Sequence, residues 1–301
     1  MLPNLSLPTK AQLATALHIT PFLLMHLACL GVIWVGVSPI AVLVCAVMYG
    51  LRMFSITAFY HRYFSHKAFK TSRAVQFIFA IIGASSTQKG PLWWAAHHRH
   101  HHRHSDTKED QHSPLHGFFQ SHVGWFLQPR NFSAPYDLIK DFARFPELRW
   151  LDRNHVLIPV FTGAALYVLG SALAAYAPSL ETNGFQMLVW GFFISTVLST
   201  HITLMINSLA HVWGSRRYNT KDHSRNNWLL ALLTFGEGWH NNHHFFPASA
   251  RQGFFWWEID LSYYVLKAMS AVGLIWDVKP VHQKAYQAVH HTTPIKKENT
   301  L

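Results

Sequence analysis

The 301-residue chain is half hydrophobic and only 13% charged, with a formal net charge of +11 at pH 7. This composition excludes a disordered chain and is unlike that of a soluble domain, so it indicates a protein embedded in lipid. The basic residues flank the apolar stretches and do not interleave with a soluble motif. We therefore expect no nucleic-acid partner.

Two long stretches of the chain are almost free of charge. Residues 11–51 contain no Asp, Glu, Lys or Arg, and residues 154–215 contain only Glu181. A bilayer span needs about 20 apolar residues, so each stretch is long enough to cross, turn and cross back. Turn residues interrupt the stretches at 36–39 and 177–184. The sequence therefore predicts four membrane helices, near residues 15–35, 39–60, 155–176 and 185–208.

The basic residues predict the orientation. Neither turn carries Lys or Arg, whereas residues 61–153 and the C-terminal third hold nearly all of them. By the positive-inside rule, both termini and the histidine-rich regions 61–153 and 209–289 are cytoplasmic parts of a single domain, 1–301. The short apolar segment 71–88 fits an embedded or interfacial helix better than a fifth span. Residues 290–301 are polar and are expected to form a flexible tail.

Histidines recur with a regular spacing. The motifs HRHHH at 98–102 and HNNHH at 240–244 each place imidazoles at i, i+3 and i+4, which share one helix face. The motif HRYFSH at 61–66 follows the second apolar run. A structural role is usual for a single histidine, but it does not explain a repeated geometric spacing. Three imidazoles on one face, twice over, exceed the needs of one tetrahedral ion and predict two metal ions at the membrane surface.

The second histidine motif can be aligned in two registers. His97, His100 and His101 satisfy the same spacing as His98, His101 and His102. Spacing alone leaves both registers open.

The end of the last predicted span supplies a further candidate pair. Asn207 and His211 are four residues apart, hence on one helix face, and His201 lies about three turns before His211. Polar groups this close to hydrocarbon are costly and often functional. His211 is the better candidate because it is nearer the aqueous side, and His201 can equally be a packing residue.

The ligand type narrows the choice of metal. Imidazoles suit iron, zinc, copper or nickel. Zinc is redox-inert and rarely needs eight or nine ligands, whereas a pair of irons would use them and could activate dioxygen. Carboxylates near the motifs could orient the rings through hydrogen bonds, although solvated surface charges are the simpler interpretation. These carboxylates are Asp106, Glu109, Asp110 and Glu237.

The three motifs together resemble the three histidine boxes of the membrane fatty acid desaturases. The linking segments GFFQSHVGW at 117–125, NSLAH at 207–211 and GEGWH at 236–240 resemble the acyl-CoA (stearoyl-CoA, delta-9 type) desaturase branch. The likeness runs from about residue 50 to residue 280.

This resemblance implies a fold and a ligand set. The fold would be an all-α integral membrane protein with four transmembrane helices and a cytoplasmic helical cap that holds a di-iron site. The second box would start at His98, with His100 and His104 outside the ligand set and Asn207 contacting one iron through a water. No catalytic residue beyond the metal ligands is implied. The implied iron ligands are His61, His66, His98, His101, His102, His211, His240, His243 and His244.

The resemblance also implies an activity. It would be the dioxygen-dependent insertion of a cis double bond, of delta-9 type, into a saturated acyl chain carried by coenzyme A or by a membrane lipid. Electrons would come from a separate ferredoxin, cytochrome b5-like protein or reductase, because no cytochrome b5 domain is fused to the chain. The family often has Arg-Asp before the second box, where this chain has Ala96-His97, so head-group binding can differ. We expect a multi-pass protein of a bacterial inner membrane, with the endoplasmic reticulum as the alternative location.

Two other functions fit parts of the pattern. A membrane hydroxylase acting on alkyl, sterol or carotenoid carbon uses similar histidine boxes, although the segments 207–211 and 117–119 favour desaturation. A metal transporter would place its ligands near mid-membrane, but only His26 and His201 lie clearly within predicted spans.

Overall fold

The computed structural model describes residues 9–290. Of the predicted tail 290–301, only His290, the last residue of the final helix, falls in that range. Four helices are long and apolar enough to cross a membrane, which confirms the predicted all-α membrane fold: Thr15–Val35, Pro39–Ser65, Leu157–Tyr176 and Gly184–His211. The second and fourth spans run beyond their predicted ends at residues 60 and 208.

The α-helices of the described chain are α1 (Lys10–Cys29), α2 (Val32–Val35), α3 (Pro39–Phe54), α4 (Arg73–Ala84), α5 (Pro91–His104), α6 (Phe118–His122), α7 (Lys140–Ala143), α8 (Pro146–Arg153), α9 (Leu157–Tyr176), α10 (Gly184–Met187), α11 (Ser195–Ser208), α12 (Trp228–Leu233), α13 (His240–Phe245), α14 (Leu261–Ala271) and α15 (Gln283–His290). Two π-helices cover Ser55–Ser65 and Leu188–Ile194. Short 3₁₀ turns cover Pro114–His116, Gly124–Leu127, Pro129–Asn131, Tyr136–Leu138, Pro178–Leu180 and Leu209–His211.

The second span begins as its sequence dictates. Ser38 caps α3 by accepting a hydrogen bond from the Ala41 amide at 3.3 Å, and Pro39 occupies the first turn. At Ser55 the α-helix becomes a π-helix that continues to Ser65. The second span therefore carries the first histidine motif inside its own helix instead of in a following loop.

Small residues let the helices approach closely. A Cβ at Gly191, in the π-helix of the fourth span, would lie 2.9 Å from Val44 of the second span. A Cβ at Gly83 would lie 2.3 Å from the ring of Tyr60, so only glycine allows α4 to pack on the first π-helix. The predicted short helix within 71–88 is thus α4, which is not among the four spans.

A two-stranded antiparallel sheet joins the two parts of the cap. Strand β1 (Lys70–Thr71) pairs with β2 (Ile275–Trp276), with Lys70 opposite Trp276 and Thr71 opposite Ile275. The region after the second span and the region after the fourth are therefore held together. Helix α5, which carries the second histidine motif, packs directly on the π-helix at the end of the second span.

Candidate metal centre

The π-helix explains how His61 and His66 can act together. In an α-helix, residues five apart point about 140° away from each other. In this π-helical segment the His66 amide donates to the His61 carbonyl at 3.3 Å, so five residues close one turn. The two rings consequently lie on one side of the helix, with centroids 4.9 Å apart.

Helices α5 and α13 contribute the other two boxes. Pro91 starts α5 after Gly90, and the last two turns of the helix carry the second box. Helix α13 consists almost entirely of the third box. The rings at i, i+3 and i+4 share one face in each helix, as the spacing predicts.

The nine predicted histidines fall into two groups. Within each group, one ligand atom per ring lies within 4.8 Å of every other. We call these the five-histidine group and the four-histidine group. The five-histidine group is His61, His66, His98, His102 and His243, and the four-histidine group is His101, His211, His240 and His244.

The structure distinguishes the two registers of the second box. His98, His101 and His102 point into the two groups. His97 is turned away, with its Nδ1 2.6 Å from the Gln111 side-chain oxygen and its Nε2 3.2 Å from a backbone carbonyl. His100 stacks against His104 with centroids 4.6 Å apart, outside both groups.

Carboxylates contact three of the four rings in the four-histidine group. His101 donates from Nδ1 to Asp110 at 2.9 Å, and His211 donates to Asp106 at 3.0 Å. Two of the carboxylates suggested by the sequence therefore do orient rings. Glu109 is exposed, as its surface interpretation requires.

The third carboxylate was not foreseen from the sequence. Asp222 accepts from Nδ1 of His244 at 2.8 Å and from the Ser224 amide at 3.0 Å. It lies 22 residues before its histidine, and no local spacing marks it. Burial would raise the pKa of Asp222, but His244 and Ser224 outweigh burial and hold it well below the usual value.

One carboxylate contacts the five-histidine group. Glu237 accepts from Nδ1 of His61 and from the Arg62 guanidinium, whose Nη2 is 2.9 Å away. Arg62 also pairs with Asp260 at 2.9 Å, and all of these side chains are buried. Burial raises the pKa of Glu237, but His61 and Arg62 outweigh it, so the carboxylate remains ionised.

The chemistry of the two groups fits metal ions. Because Nδ1 of His61, His101, His211 and His244 donates to a carboxylate, Nε2 of each ring presents a lone pair to its group. Nε2 of His244 is buried and finds no hydrogen-bond partner among the described residues. A lone pair buried among other imidazoles costs free energy unless a cation accepts it.

The pKa values of most rings also favour metal binding. Burial lowers the pKa of His66, His98 and His243 well below the usual imidazole value, and neighbouring rings lower it further. Burial also lowers the pKa of His244, to about 4, with Asp222 opposing the shift. These rings are neutral at pH 7, and neutral imidazole is the form that ligates metals.

The candidate residues of the last span differ in whether they join a histidine group. His211 belongs to the four-histidine group, although it ends a 3₁₀ turn instead of continuing α11. Asn207 lies half-buried in the last turn of α11, and its side-chain amide group has no hydrogen-bond partner within residues 9–290. His201 is in neither group and contacts His26 and His122 instead.

A comparison with protein-family models decides the classification. The fatty acid desaturase model matches residues 38–276, which include all the histidines of both groups. The chain belongs to the fatty acid desaturase family. The resemblance to the fatty acid desaturases that the sequence predicted is thereby confirmed. Membership of this family counts against the metal-transporter hypothesis.

The similar desaturases differ in substrate. The palmitoyl-monogalactosyldiacylglycerol delta-7 desaturase of Arabidopsis thaliana is 40% identical over 75% of this chain and 58% of its own length. The acyl-CoA C20 delta-5 desaturase of Anemone leveillei is 37% identical over 78% of this chain and 73% of its own. The sn-2 palmitoyl-lipid 9-desaturase of Nostoc sp. (strain 36) is 39% identical over 71% and 73%. These names agree on the reaction class and differ in double-bond position and acyl carrier.

Proposed function

We propose that this chain is an oxygen-dependent fatty acyl desaturase that forms a cis double bond using two irons held by the nine histidines of the two groups. The observation that carries the proposal is the division of the nine predicted rings into sets of five and four. That division matches two ions, with Asn207 holding a water at the four-histidine group. When bound, the iron pair would supply the oxidising chemistry that removes hydrogen from unactivated carbon at the expense of dioxygen.

The protein's own contribution is orientation and exclusion of water. The Nδ1–carboxylate hydrogen bonds fix the tautomer of four rings, and loss of such partners usually costs about 10–100-fold in metal affinity or activity. Trp94 stacks on His98 with ring centroids 5.2 Å apart and helps to fix that ring. His61, His101, His240 and His243 are all at most 4% exposed, so bulk water has little access to these four rings.

The acyl carrier is part of the proposal. The sequence predicts an acyl chain carried by a membrane lipid or by coenzyme A, and similar desaturases named for each kind of carrier match the chain. We propose one of these two carriers and a double bond of the delta-9 type.

The topology supports a membrane enzyme that works on the cytoplasmic face. Both histidine groups lie at the ends of the second and fourth spans, away from the turns at 36–39 and 177–184. The basic residues flank the same ends, which supports a cytoplasmic location of both groups by the positive-inside rule. We propose a bacterial inner membrane location and a separate electron donor, such as a ferredoxin, a cytochrome b5-like protein or a reductase.

The test is expression in a host that lacks its own desaturase, followed by gas chromatography of the lipids. The wild-type chain and a His100→Ala control should produce a new monounsaturated acyl chain, and His101→Ala should not. The carrier is tested with purified protein given stearoyl-CoA or stearoyl phospholipid. Unchanged saturated chains from iron-loaded protein with a working donor would refute the proposal, and an alcohol product would indicate a hydroxylase.

A further inference from the structure

Helix α12 is apolar on all of its faces. Residues 226–236 contain no Asp, Glu, Lys or Arg. One face of the helix packs inwards through Leu230 and Ala231, which are buried. A helix without a polar face is unlike one that lies in water, and an exposed apolar patch marks a contact with a partner or a membrane. The outer face of α12 is such a patch, because its side chains are between 36% and 69% exposed: Trp228, Leu229, Leu232 and Leu233.

The end of α12 contacts the second membrane span. The Tyr49 hydroxyl donates a hydrogen bond to the Leu233 carbonyl at 2.5 Å. A Cβ at Gly50 would lie 3.9 Å from the ring of Phe235, which follows α12. Tyr49 lies ten residues after Pro39, where the span begins, and this is about 15 Å along a helix. The level of Tyr49 in the membrane therefore defines the level of the end of α12.

Tyr49 lies within the hydrocarbon layer wherever that layer falls on the span. The 27-residue span is about 40 Å long, whereas the hydrocarbon layer of a bilayer is about 30 Å thick. If the layer starts at Pro39, Tyr49 is about 15 Å inside it, and if the layer ends at Ser65, Tyr49 is still about 5 Å inside it. Side chains of a helix lean towards its N-terminus, here the end away from the histidine groups. The end of α12 therefore lies below the bilayer surface.

The backbone of α12 is satisfied in the way that hydrocarbon requires. The last four carbonyls of a helix have no partner within it, and in lipid no water can replace that partner. The carbonyls of Leu230, Ala231 and Leu232 accept from the amides of residues 234–236 at 2.7–3.4 Å. The fourth carbonyl, that of Leu233, accepts from Tyr49 of the second span. The end of α12 that contacts the second span therefore needs no water.

The chain turns back after α12 and does not cross the membrane. Phe235 and Gly236 have positive φ values, of 56° and 125°. A Cβ at Gly236 would lie 2.3 Å from Asp260, so only glycine fits this turn. The Asn227 amide before α12 donates to the Gly238 carbonyl after the turn at 2.8 Å. The chain thus enters and leaves on the same side, and the third box begins four residues after Gly236.

We propose that α12 and residues 234–236 form a re-entrant membrane element whose exposed face is covered by the acyl chains of the bilayer lipids. The face adjoins the second span at Tyr49, so it continues the surface that the spans present to lipid. Trp228 lies at the entrance, where interfacial tryptophan is favoured, and Leu232 and Leu233 lie deeper. This element is additional to the four spans, and it does not depend on the proposed desaturase activity.

The test attaches a nitroxide spin label to single cysteines of the full chain in phosphatidylcholine nanodiscs. The two native cysteines are first removed with Cys29→Ala and Cys45→Ala. The label is placed at Leu232→Cys. Val47→Cys, on the exposed face of the second span, is the lipid reference, and Glu109→Cys, in an exposed turn, is the water reference. Power-saturation EPR measures collisions of the label with dioxygen, which concentrates in hydrocarbon, and with a nickel chelate, which stays in water.

The two collision rates distinguish the possible surroundings of α12. We expect Leu232→Cys to match Val47→Cys, with frequent dioxygen collisions and several-fold fewer nickel-chelate collisions than Glu109→Cys, and Trp228→Cys to lie between the two references. Nickel-chelate collisions as frequent as at Glu109→Cys would overturn the proposal, because the face would lie in water. Infrequent collisions with both reagents would also overturn it, because protein, such as a second copy of the chain, would cover the face.

The measurement does not need a working metal centre. Each labelled variant is compared with the wild-type chain by its Tm, and Leu229→Cys repeats the measurement on the same face if Leu232→Cys lowers the Tm. If the wild-type chain makes no double bond, the desaturase proposal fails while the collision rates still decide whether α12 lies in the bilayer.

Discussion

The five-histidine and four-histidine groups are built from the same side chain but are supported differently. In the four-histidine group, three of four rings donate to a carboxylate, at Asp106, Asp110 and Asp222. In the five-histidine group, one of five rings has such a partner, Glu237, and that carboxylate is shared with Arg62. The five-histidine group therefore has more candidate ligands, and the four-histidine group has more negative charge beside it.

The difference makes the two proposed metal positions inequivalent. A ring that donates to a carboxylate is more basic and binds a cation more strongly, so three carboxylates can offset one missing imidazole. A four-ligand position also keeps room for a further oxygen ligand, such as a water on Asn207. We expect a further oxygen ligand, such as water, to bind at the four-histidine group. We expect the five-histidine group to be the more tolerant of the loss of one histidine.

The largest expected effect is the loss of a ring from the four-histidine group. His101→Ala leaves three rings in the four-histidine group, so we expect iron to fall from two to one per chain and turnover to be lost. His66→Ala leaves four rings in the other group, so both irons should stay with weakened affinity. Metal analysis and turnover check this, with His100→Ala as the control on the same helix. Equal iron loss in the two variants would show that the two groups do not differ in their tolerance of losing a histidine.

A smaller effect is expected from the carboxylates. Asp222→Asn keeps an oxygen that accepts from His244 but removes the charge, so iron affinity at the four-histidine group should fall about 10–100-fold. Glu237→Gln should weaken the five-histidine group less, because four of its five rings lack a carboxylate partner. Competition with a graded chelator measures both, and Glu109→Gln should change neither. A larger loss from Glu237→Gln would reverse the comparison.

The sequence predicted the membrane fold and the nine rings that the structure brings together. What the sequence did not predict has physical reasons. Long uncharged stretches predict spans because hydrocarbon excludes charge, and i, i+3, i+4 spacing predicts a shared face because α-helical geometry is fixed. The π-helix around His61 was missed because its spacing has no signature in hydropathy. Asp222 was missed because its contact with His244 depends on tertiary folding, and spacing alone could not choose between His97 and His98.

The smallest effect concerns pH. Burial alone would lower the pKa of His101, but Asp110 outweighs it and raises the pKa. In the metal-free protein a proton therefore competes for this ring more strongly than for an ordinary imidazole, whereas His66, His98 and His243 have lowered pKa values and bind protons more weakly.

As the pH falls from 8 to 6, apparent iron affinity of the four-histidine group should fall by up to about tenfold per pH unit below the pKa of His101. Affinity of the five-histidine group should fall less over this range, because His66, His98, His102 and His243 have lowered pKa values. Chelator competition at pH 8, 7 and 6 measures the two affinities, and Asp110→Asn should flatten the first dependence by lowering the pKa of His101. If the iron affinities of the two groups fell in parallel with pH, the carboxylates would not account for the difference between the groups.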